Sequence, residues 1–293
     1  MNGKKYNPLL PLDSVLIGDV MDFLPGWEAE SVDMIYADPD YNVGVTYNGK
    51  RYRKSFDEYI SWCCLWASQC YRLLKPTGNF FIINYPKNNA YLRVCLLDKL
   101  FYEVYEYVWI YNTNIGHSPR RFTTAHRTIL HCVKSKHNAF YKDQVAVPYQ
   151  NPTDRRIKAN LAAGSKGRMP YSWFYFDLVK NVSKEKTIHS CQIPEKLAEM
   201  LILSCTKPGD IVLVLFGGSG SEVVKAKELG RHYLTVEIDP KYARMIMDRL
   251  ENGKLGEEYR PELSRARTAK RLSEKRQLQI DSHPTSQVMV ESE

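Results

Sequence analysis

The chain has 293 residues, enough for one large α/β domain with a small insert and a core that needs neither disulfide nor metal to hold it. Forty-one Lys and Arg against 33 Asp and Glu leave a net charge of +8 and a pI near 9.0, the footprint of a protein that meets a polyanion. The seven cysteines are odd in number and lack a Cys-x-x-Cys pair, the seven histidines lack metal spacing, and no apolar run can span a bilayer. A disulfide scaffold, a metal centre and a membrane protein are thereby disfavoured. The start, Met1 to Lys5, lacks the apolar stretch of a secretory signal, so the expected location is cytoplasmic.

Ser14 to Gly18 reads as a short strand ending at Asp19, with a helical turn through Met21 to Leu24. The apolar run Val32 to Ala37 is stopped by Asp38-Pro39, so a strand delivers Asp38 to a loop. Residues 42–56, with Gly44, Gly49, Lys50, Arg51, Arg53 and Lys54, are too rich in charge and glycine to be buried and predict a mobile basic loop. Ile60, Cys64, Ala67, Tyr71 and Leu74 recur at helical spacing over 57–74, with Pro76-Thr77-Gly78 as the stop. A buried strand follows at 79–84, a helix at 88–100 and strands at 103–111 and 127–134, an alternation that suits a parallel sheet.

Residues 135–185 break this rhythm with irregular, basic and aromatic sequence: Asp154-Arg155-Arg156-Ile157-Lys158, Gly164-Ser165-Lys166-Gly167-Arg168 and Trp173-Phe174-Tyr175-Phe176. They predict an insert with its own task. Regularity returns with a helix at 193–205, a strand at 211–215, a helix at 221–229, a strand at 233–237 and a helix from Pro240 to Leu250 with proline in its first turn. Beyond Gly256 the sequence is charged and poor in large apolar groups, which predicts a frayed or disordered tail. The expected division is 1–134 and 186–255 as two halves of one domain, 135–185 as the insert, and 256–293 as the tail.

Two motifs carry chemistry. Phe216-Gly217-Gly218-Ser219-Gly220 lies between a strand and a helix, where glycines let the backbone turn tightly and approach a ligand. Glu237 closes the following strand, the position from which a carboxylate binds both ribose hydroxyls of an adenosine cofactor. No Gly-Lys-Ser/Thr follows, so the turn is not a phosphate-cradling P-loop. The second motif, Asp38-Pro39-Asp40-Tyr41, sits at a strand's carboxyl end.

Together these segments resemble the amino-methyltransferases of DNA, whose target-site motif is Asp-Pro-Pro-Tyr and whose cofactor turn is Phe-x-Gly-x-Gly. The order, target motif first and cofactor turn last, resembles the circularly permuted β-class of that family, which includes many restriction-modification enzymes. The likeness runs from about Ser14 to Leu250. It includes Ile17-Gly18-Asp19, the stretch Arg120-Arg121-Phe122-Thr123-Thr124-Ala125-His126, and the run His189-Ser190-Cys191-Gln192-Ile193-Pro194, which is similar to the family's His-Pro-x-Gln-x-Pro.

The resemblance implies a Rossmann-like, S-adenosylmethionine-dependent methyltransferase of α/β class: a mainly parallel seven-stranded sheet, circularly permuted, with a small target-recognition insert. It implies S-adenosylmethionine as cofactor, with Asp19 on its adenine, Glu237 on its ribose, Phe216, Gly217, Gly218, Ser219 and Gly220 along its methionine portion, and His189 on the same side. It implies double-stranded DNA as partner in a bacterial, archaeal or phage setting, and leaves open a homodimer and a separately acting restriction endonuclease.

An adenine amine is a poor nucleophile because its lone pair is delocalised into the ring, and acceptors on its two hydrogens localise that pair. The Asp38 carboxylate and the Pro39 carbonyl are assigned that role, and Tyr41 is the aromatic face for a flipped-out base. Lys50, Arg51, Arg53, Lys54, Arg120, Arg121, Arg155, Arg156, Lys166 and Arg168 are the DNA-contact candidates, with His117 and Trp173 beside them. Three positions depart from the family: Asp40 and Ser190 replace prolines, and Leu213-Val214-Leu215-Phe216 replaces an Asp-Pro-Phe ending. Asp40 removes a φ constraint and places a second carboxylate beside Asp38, which would raise the pKa of one of them. Cytosine-N4 modification, and a catalytically weak DNA-binding protein of the same fold, remain alternatives to adenine-N6 transfer.

Overall fold

Strands buried on both faces of a parallel sheet need near-continuous apolar runs, and Val32–Ala37, Ile211–Val214 and most of His232–Glu237 supply them. The computed structural model describes residues 10–44, 46–47, 50–51, 53–112, 119–180 and 183–261. In chain order its elements begin with β1 (Ser14–Ile17), α1 (Val20–Phe23), β2 (Val32–Ala37) and a hairpin of β3 (Thr46–Tyr47) with β4 (Lys50–Arg51). Next come α2 (Phe56–Leu73), β5 (Leu74–Asn84), α3 (Pro86–Leu92), a π turn (Arg93–Leu97), α4 (Asp98–Leu100), β6 (Glu103–Ile110) and β7 (His126–Val133). Then follow α5 (Arg155–Ala162), β8 (Trp173–Tyr175), α6 (Glu195–Cys205), β9 (Ile211–Val214), α7 (Ser221–Glu228), β10 (His232–Glu237) and α8 (Pro240–Asn252).

The main sheet has the order β1-β10-β9-β2-β5-β7-β6-β8. It is therefore eight-stranded and mixed rather than the expected seven, with β7 antiparallel to both β5 and β6 and every other pairing parallel. Two physical facts account for the difference. The connection from β6 to β7 carries no helix among the described residues, and antiparallel neighbours need no helical crossover. The aromatic run of the 135–185 segment is extended enough to dock on the edge, with Val108 opposite Trp173 and Ile110 opposite Tyr175.

One face of the sheet packs on α2, whose capping box pairs Ser55 with Glu58 and whose Tyr59, Trp66, Cys70 and Leu73 are buried. Truncating Trp66, which is fully buried, would cost about 3–5 kcal/mol. The other face packs on α6, α7 and α8 through Leu197, Leu201, Val223, Ile246 and Leu250. All seven cysteines are free thiols, and no helix of the described residues is long and apolar enough to cross a membrane.

Three local expectations need correction. Helix α2 passes straight into β5 at Leu74, and Pro76-Thr77-Gly78 forms an irregularity between the pairs Val32–Leu74 and Met34–Asn79 instead of a separate stop. The basic loop after Tyr41 contains the β3–β4 hairpin. The first residues of the expected tail are tied down: the Ile188 amide donates to the Tyr259 carbonyl at 2.8 Å and the Tyr259 hydroxyl donates to Asp248.

Candidate active site

Parallel strands deliver their carboxyl ends to one edge of the sheet, the edge where α/β proteins place ligands. Here a cavity of about 280 Å³ opens between the ends of β1, β2, β9 and β10, lined by Asp19, Asp38, Pro39, Asp40, Tyr41, His189, Phe216, Gly217, Gly218, Ser219, Glu222, Glu237 and Tyr242. Both motifs therefore face one cavity, although more than 170 residues separate them in the chain.

The cradle on one side begins with Gly217, where an added Cβ would lie 2.7 Å from Ile246 Cδ1 and 3.2 Å from Glu237 Cβ. Gly218 has φ of 54° and presents its amide to Glu237 Oε2 at 2.7 Å, while Glu237 Oε1 accepts from the Asp239 amide at 2.8 Å. Burial raises the Glu237 pKa, and these two backbone donors oppose the shift. The pairing of Ile17 with Glu237, and the Gly18 amide on the Glu237 carbonyl, bring Asp19 to the same edge of the sheet. Asp19 caps α1 through Oδ1, which accepts from the Met21 amide at 2.9 Å, and it also lines the cavity.

His189 stands across from Gly218, its Nδ1 3.1 Å from the Cys191 carbonyl and its ring edge-on to Tyr242. Burial, then the nearby Lys186 cation, push its pKa down to about 4, so the ring is neutral at physiological pH. Phe216 wedges the turn against Trp62 and Trp66, with both ring centroids 5.6 Å away. Gly220 closes the turn as a left-handed cap at the start of α7 and, unlike Phe216, Gly217, Gly218 and Ser219, does not line the cavity. Sequence reasoning missed Arg249, a buried α8 residue that donates to the Ser219 carbonyl and to Glu195 at 2.7 Å.

On the opposite side Asp38 Oδ1 accepts the Tyr41 hydroxyl at 2.5 Å, and no donor among the described residues reaches Oδ2. Asp38 keeps some exposure on the cavity side but is otherwise walled in, and its pKa stands well above the ordinary carboxylate value. Burial is the main cause; the Tyr41 hydrogen bond opposes it, Glu222 adds to it, Arg127 lowers it, and Asp40 contributes least. The carboxylate that matters most to Asp38 is thus Glu222, absent from the sequence-based site, and not Asp40. Glu222 is itself buried, and desolvation pushes its pKa up to about 7.

Hydrogen bonds from outside the loop hold the backbone around Asp40. The Tyr59 hydroxyl donates to the Asp40 carbonyl at 2.7 Å, and Asn88 Nδ2 donates to the Tyr41 carbonyl at 3.1 Å. Asn84 links the two, donating to the Tyr59 hydroxyl and accepting from Asn88. Tyr41 is buried, its ring edge-on to Tyr85 at 5.2 Å, and the guanidinium of Arg127 lies 5.3 Å from its centroid.

The DNA methylase family model matches residues 32–248. The chain belongs to the DNA methylase family. Among relatives of this methylase is the type II methyltransferase M.BglII of Bacillus subtilis, 30% identical over 249 residues that cover 80% of this chain and 68% of that protein. The DNA adenine methyltransferase YhdJ of Escherichia coli (strain K12) is 30% identical over 243 residues, 81% of this chain and 82% of its own. In fold the methylase is similar to the PvuII DNA methyltransferase (cytosine-N4-specific), with a TM-score of 0.61 at 20% identity, covering 82% of this chain and 93% of that one. It is also similar to M1.HpyAVI in a SAM complex, with a TM-score of 0.57 at 21% identity, covering 81% and 98%.

The basic residues of the methylase fall into separate groups. Arg53, Arg120, Arg121, Arg155, Arg156 and Lys166 are exposed, with Arg155 and Arg156 in the first turn of α5. Lys54 is exposed and also lines the cavity mouth. Arg168 folds back instead, its guanidinium 4.3 Å from the Tyr171 ring centroid and its Nη1 on the Met169 carbonyl. Lys50 and Arg51 form β4, but their side chains, like His117, lie outside the described residues. Trp173 is half exposed on β8 and stacks with Tyr171.

Proposed function

We propose that this DNA methylase transfers a methyl group from S-adenosylmethionine to N6 of an adenine flipped out of double-stranded DNA. The observation that carries the reading is the shared cavity: the Asp38-Pro39 acceptors and the Gly218–Glu237 cradle line one space. S-adenosylmethionine fits the cradle: Gly217, Gly218, His189 and Glu237 line the cavity, a Cβ at Gly218 would crowd the His189 ring at 3.3 Å, and each Glu237 oxygen retains a lone pair after accepting one backbone N–H. Glu237 and Asp19 would hold its ribose and adenine, and the 216–219 backbone its methionine end. When bound it supplies an electrophilic methyl on a positively charged sulfur.

The chain's own residues do the rest. Asp38 Oδ2 and the Pro39 carbonyl accept the two amine hydrogens, localise the lone pair and stabilise the positive charge that develops on nitrogen. The proton lost from the methylated amine passes to Asp38 Oδ2, whose raised pKa makes it a competent acceptor. Tyr41 offers its ring to the extruded base. The Asp-first tetrapeptide and the likeness to a DNA adenine methyltransferase support adenine over cytosine.

The placement of the target motif after β2 and the cofactor turn after β9 supports a circular permutation, with residues 135–185 as the target-recognition insert between halves 1–134 and 186–255. The test is to incubate purified protein with labelled S-adenosylmethionine and mixed-sequence duplex DNA, then analyse the nucleosides. N6-methyladenine is expected; N4-methylcytosine would move the assignment to cytosine. No transfer with intact DNA binding would favour a binding protein of this fold.

A further inference from the structure

Because β7 runs opposite to its neighbours, its first residues rather than its last border the cavity edge, beside the ends of β5 and β6. Arg127 is the second residue of β7, and its guanidinium sits among Tyr85 at 3.9 Å, Tyr41 at 5.3 Å and Tyr111 at 5.4 Å from the ring centroids. Its Nη2 donates to the Tyr85 hydroxyl at 3.0 Å, and its Nη1 donates to the Tyr111 hydroxyl and to the His126 carbonyl. Among the described residues no carboxylate comes within ion-pair distance of it. A planar cation held by three aromatic rings and two hydroxyls is immobilised, at a site where its charge is not neutralised by direct pairing.

We propose that Arg127 is a positioning residue for methyl transfer, holding Tyr41 and, through the Tyr41 hydroxyl, the Asp38 carboxylate in the orientation that leaves Oδ2 for the incoming amine. The inference rests on the function proposed above. The chain of contacts is continuous: Arg127 binds Tyr85, Tyr85 meets Tyr41 edge-on, and Tyr41 donates to Asp38 at 2.5 Å. A guanidinium over a phenol ring also fixes that ring's plane, and here it fixes the ring assigned to the flipped base.

Charge gives the arrangement a second consequence. The ionisable groups acting on Asp38 are Tyr41 and Asp40 on its own loop, Glu222 on α7 and Arg127 on β7; the Cys191 thiol before α6 and the Tyr36 hydroxyl on β2 also feel its charge. Arg127 is the cation in that set. It opposes burial and Glu222 by lowering the Asp38 pKa, and no sequence motif marked it.

The experiment compares wild-type protein with Arg127→Met and Arg127→Lys, measuring kcat, KM for duplex DNA, S-adenosylmethionine affinity by calorimetry, and the pH dependence of kcat. Arg127→Met should lower kcat about 100-fold, the scale of a small misplacement of reacting groups. It should also move the acid limb of the profile to higher pH, because loss of the cation raises the Asp38 pKa. Arg127→Lys keeps the charge but not the planar fork, so the acid limb should stay while kcat still falls.

Cofactor affinity should not change in either variant. Should Arg127→Met not fold, the double variant Tyr85→Phe and Tyr111→Phe removes both hydroxyl partners with the rings retained, and it should lower kcat in the same direction. An unchanged kcat and acid limb, or a rise in KM for DNA alone, would overturn the inference and mark Arg127 as structural or as a DNA contact. Wild-type protein that moves no methyl overturns the underlying reading and this inference with it. Active wild type with an unaltered Arg127→Met overturns the inference only.

Discussion

The Gly218 amide and the Glu237 carboxylate meet at 2.7 Å, tying the turn after β9 to the end of β10. One carboxylate thereby shapes the cradle and faces the cavity, with its second oxygen fixed by the Asp239 amide. Glu237→Gln keeps the volume but replaces an acceptor oxygen with a donor NH2, so a backbone donor or a ribose hydroxyl must lose its partner. Affinity for S-adenosylmethionine should fall about tenfold or more, corresponding to roughly 1.4 kcal/mol. Isothermal titration of the two proteins checks this, and equal dissociation constants would remove Glu237 from the cofactor site.

Asp38→Asn should lower kcat by about 100-fold or more while leaving cofactor affinity intact, because a preorganised charged acceptor is lost from the point where positive charge develops. With Asp38 as the acceptor, its raised pKa should set the acid limb of the wild-type pH profile: activity should be present when the carboxylate is ionised and be lost as pH falls through that pKa. The variant should lack this limb. Methylation at the wild-type rate by Asp38→Asn would remove the acceptor mechanism.

Glu222 carries the clearest linkage between ionisation and stability. Its pKa in the folded protein is pushed from 4.5 to about 7 by burial, so the folded state holds the proton more tightly than the unfolded chain. The resulting stabilisation is fully present below pH 4.5 and is lost as pH rises through about 7. The shift corresponds to about 3 kcal/mol. Glu222→Gln should therefore gain stability relative to wild type as pH is raised from 4.5 to 8, measured by denaturant titration at each pH. It should also shift the acid limb of activity to lower pH, since Glu222 raises the Asp38 pKa. Parallel stability curves for the two proteins would show that Glu222 is solvated.

How much of this is legible in the sequence depends on whether the signal is local. The apolar runs of β2, β5, β9 and β10, and the two loops that follow β2 and β9, announce themselves within a few residues, and those loops are the ones that meet in the cavity. Glu222, Arg127 and Arg249 are invisible there because each acts across elements: a carboxyl at the start of α7 reaches Asp38, an antiparallel strand start brings Arg127 to the site, and α8 reaches back to Ser219. The groups that hold the loop around Asp40 are hidden for the same reason. Tyr59 and Asn88 hold that loop from residues 19 and 47 positions away. The eighth strand escapes notice because three residues of an aromatic, irregular segment carry no period that marks them as sheet.

The exposed cations Arg155 and Arg156 make a claim that salt can decide. Arg155 and Arg156 open α5, whose N-terminus already favours anions, and the side chain of Asp154 caps it by accepting from the Arg156 and Ile157 amides. If both arginines meet phosphates, replacing them with alanine should weaken duplex binding at low salt and flatten the dependence of log affinity on log salt. The slope should change by about 0.9 for each phosphate no longer neutralised, close to 2 for the pair. The turnover number at saturating DNA should hold, because neither side chain lines the cavity. Filter binding across a range of potassium chloride concentrations measures the slope. An unchanged slope would place the DNA against other basic groups, with the exposed Arg53, Lys54, Arg120 and Arg121 as the next to substitute.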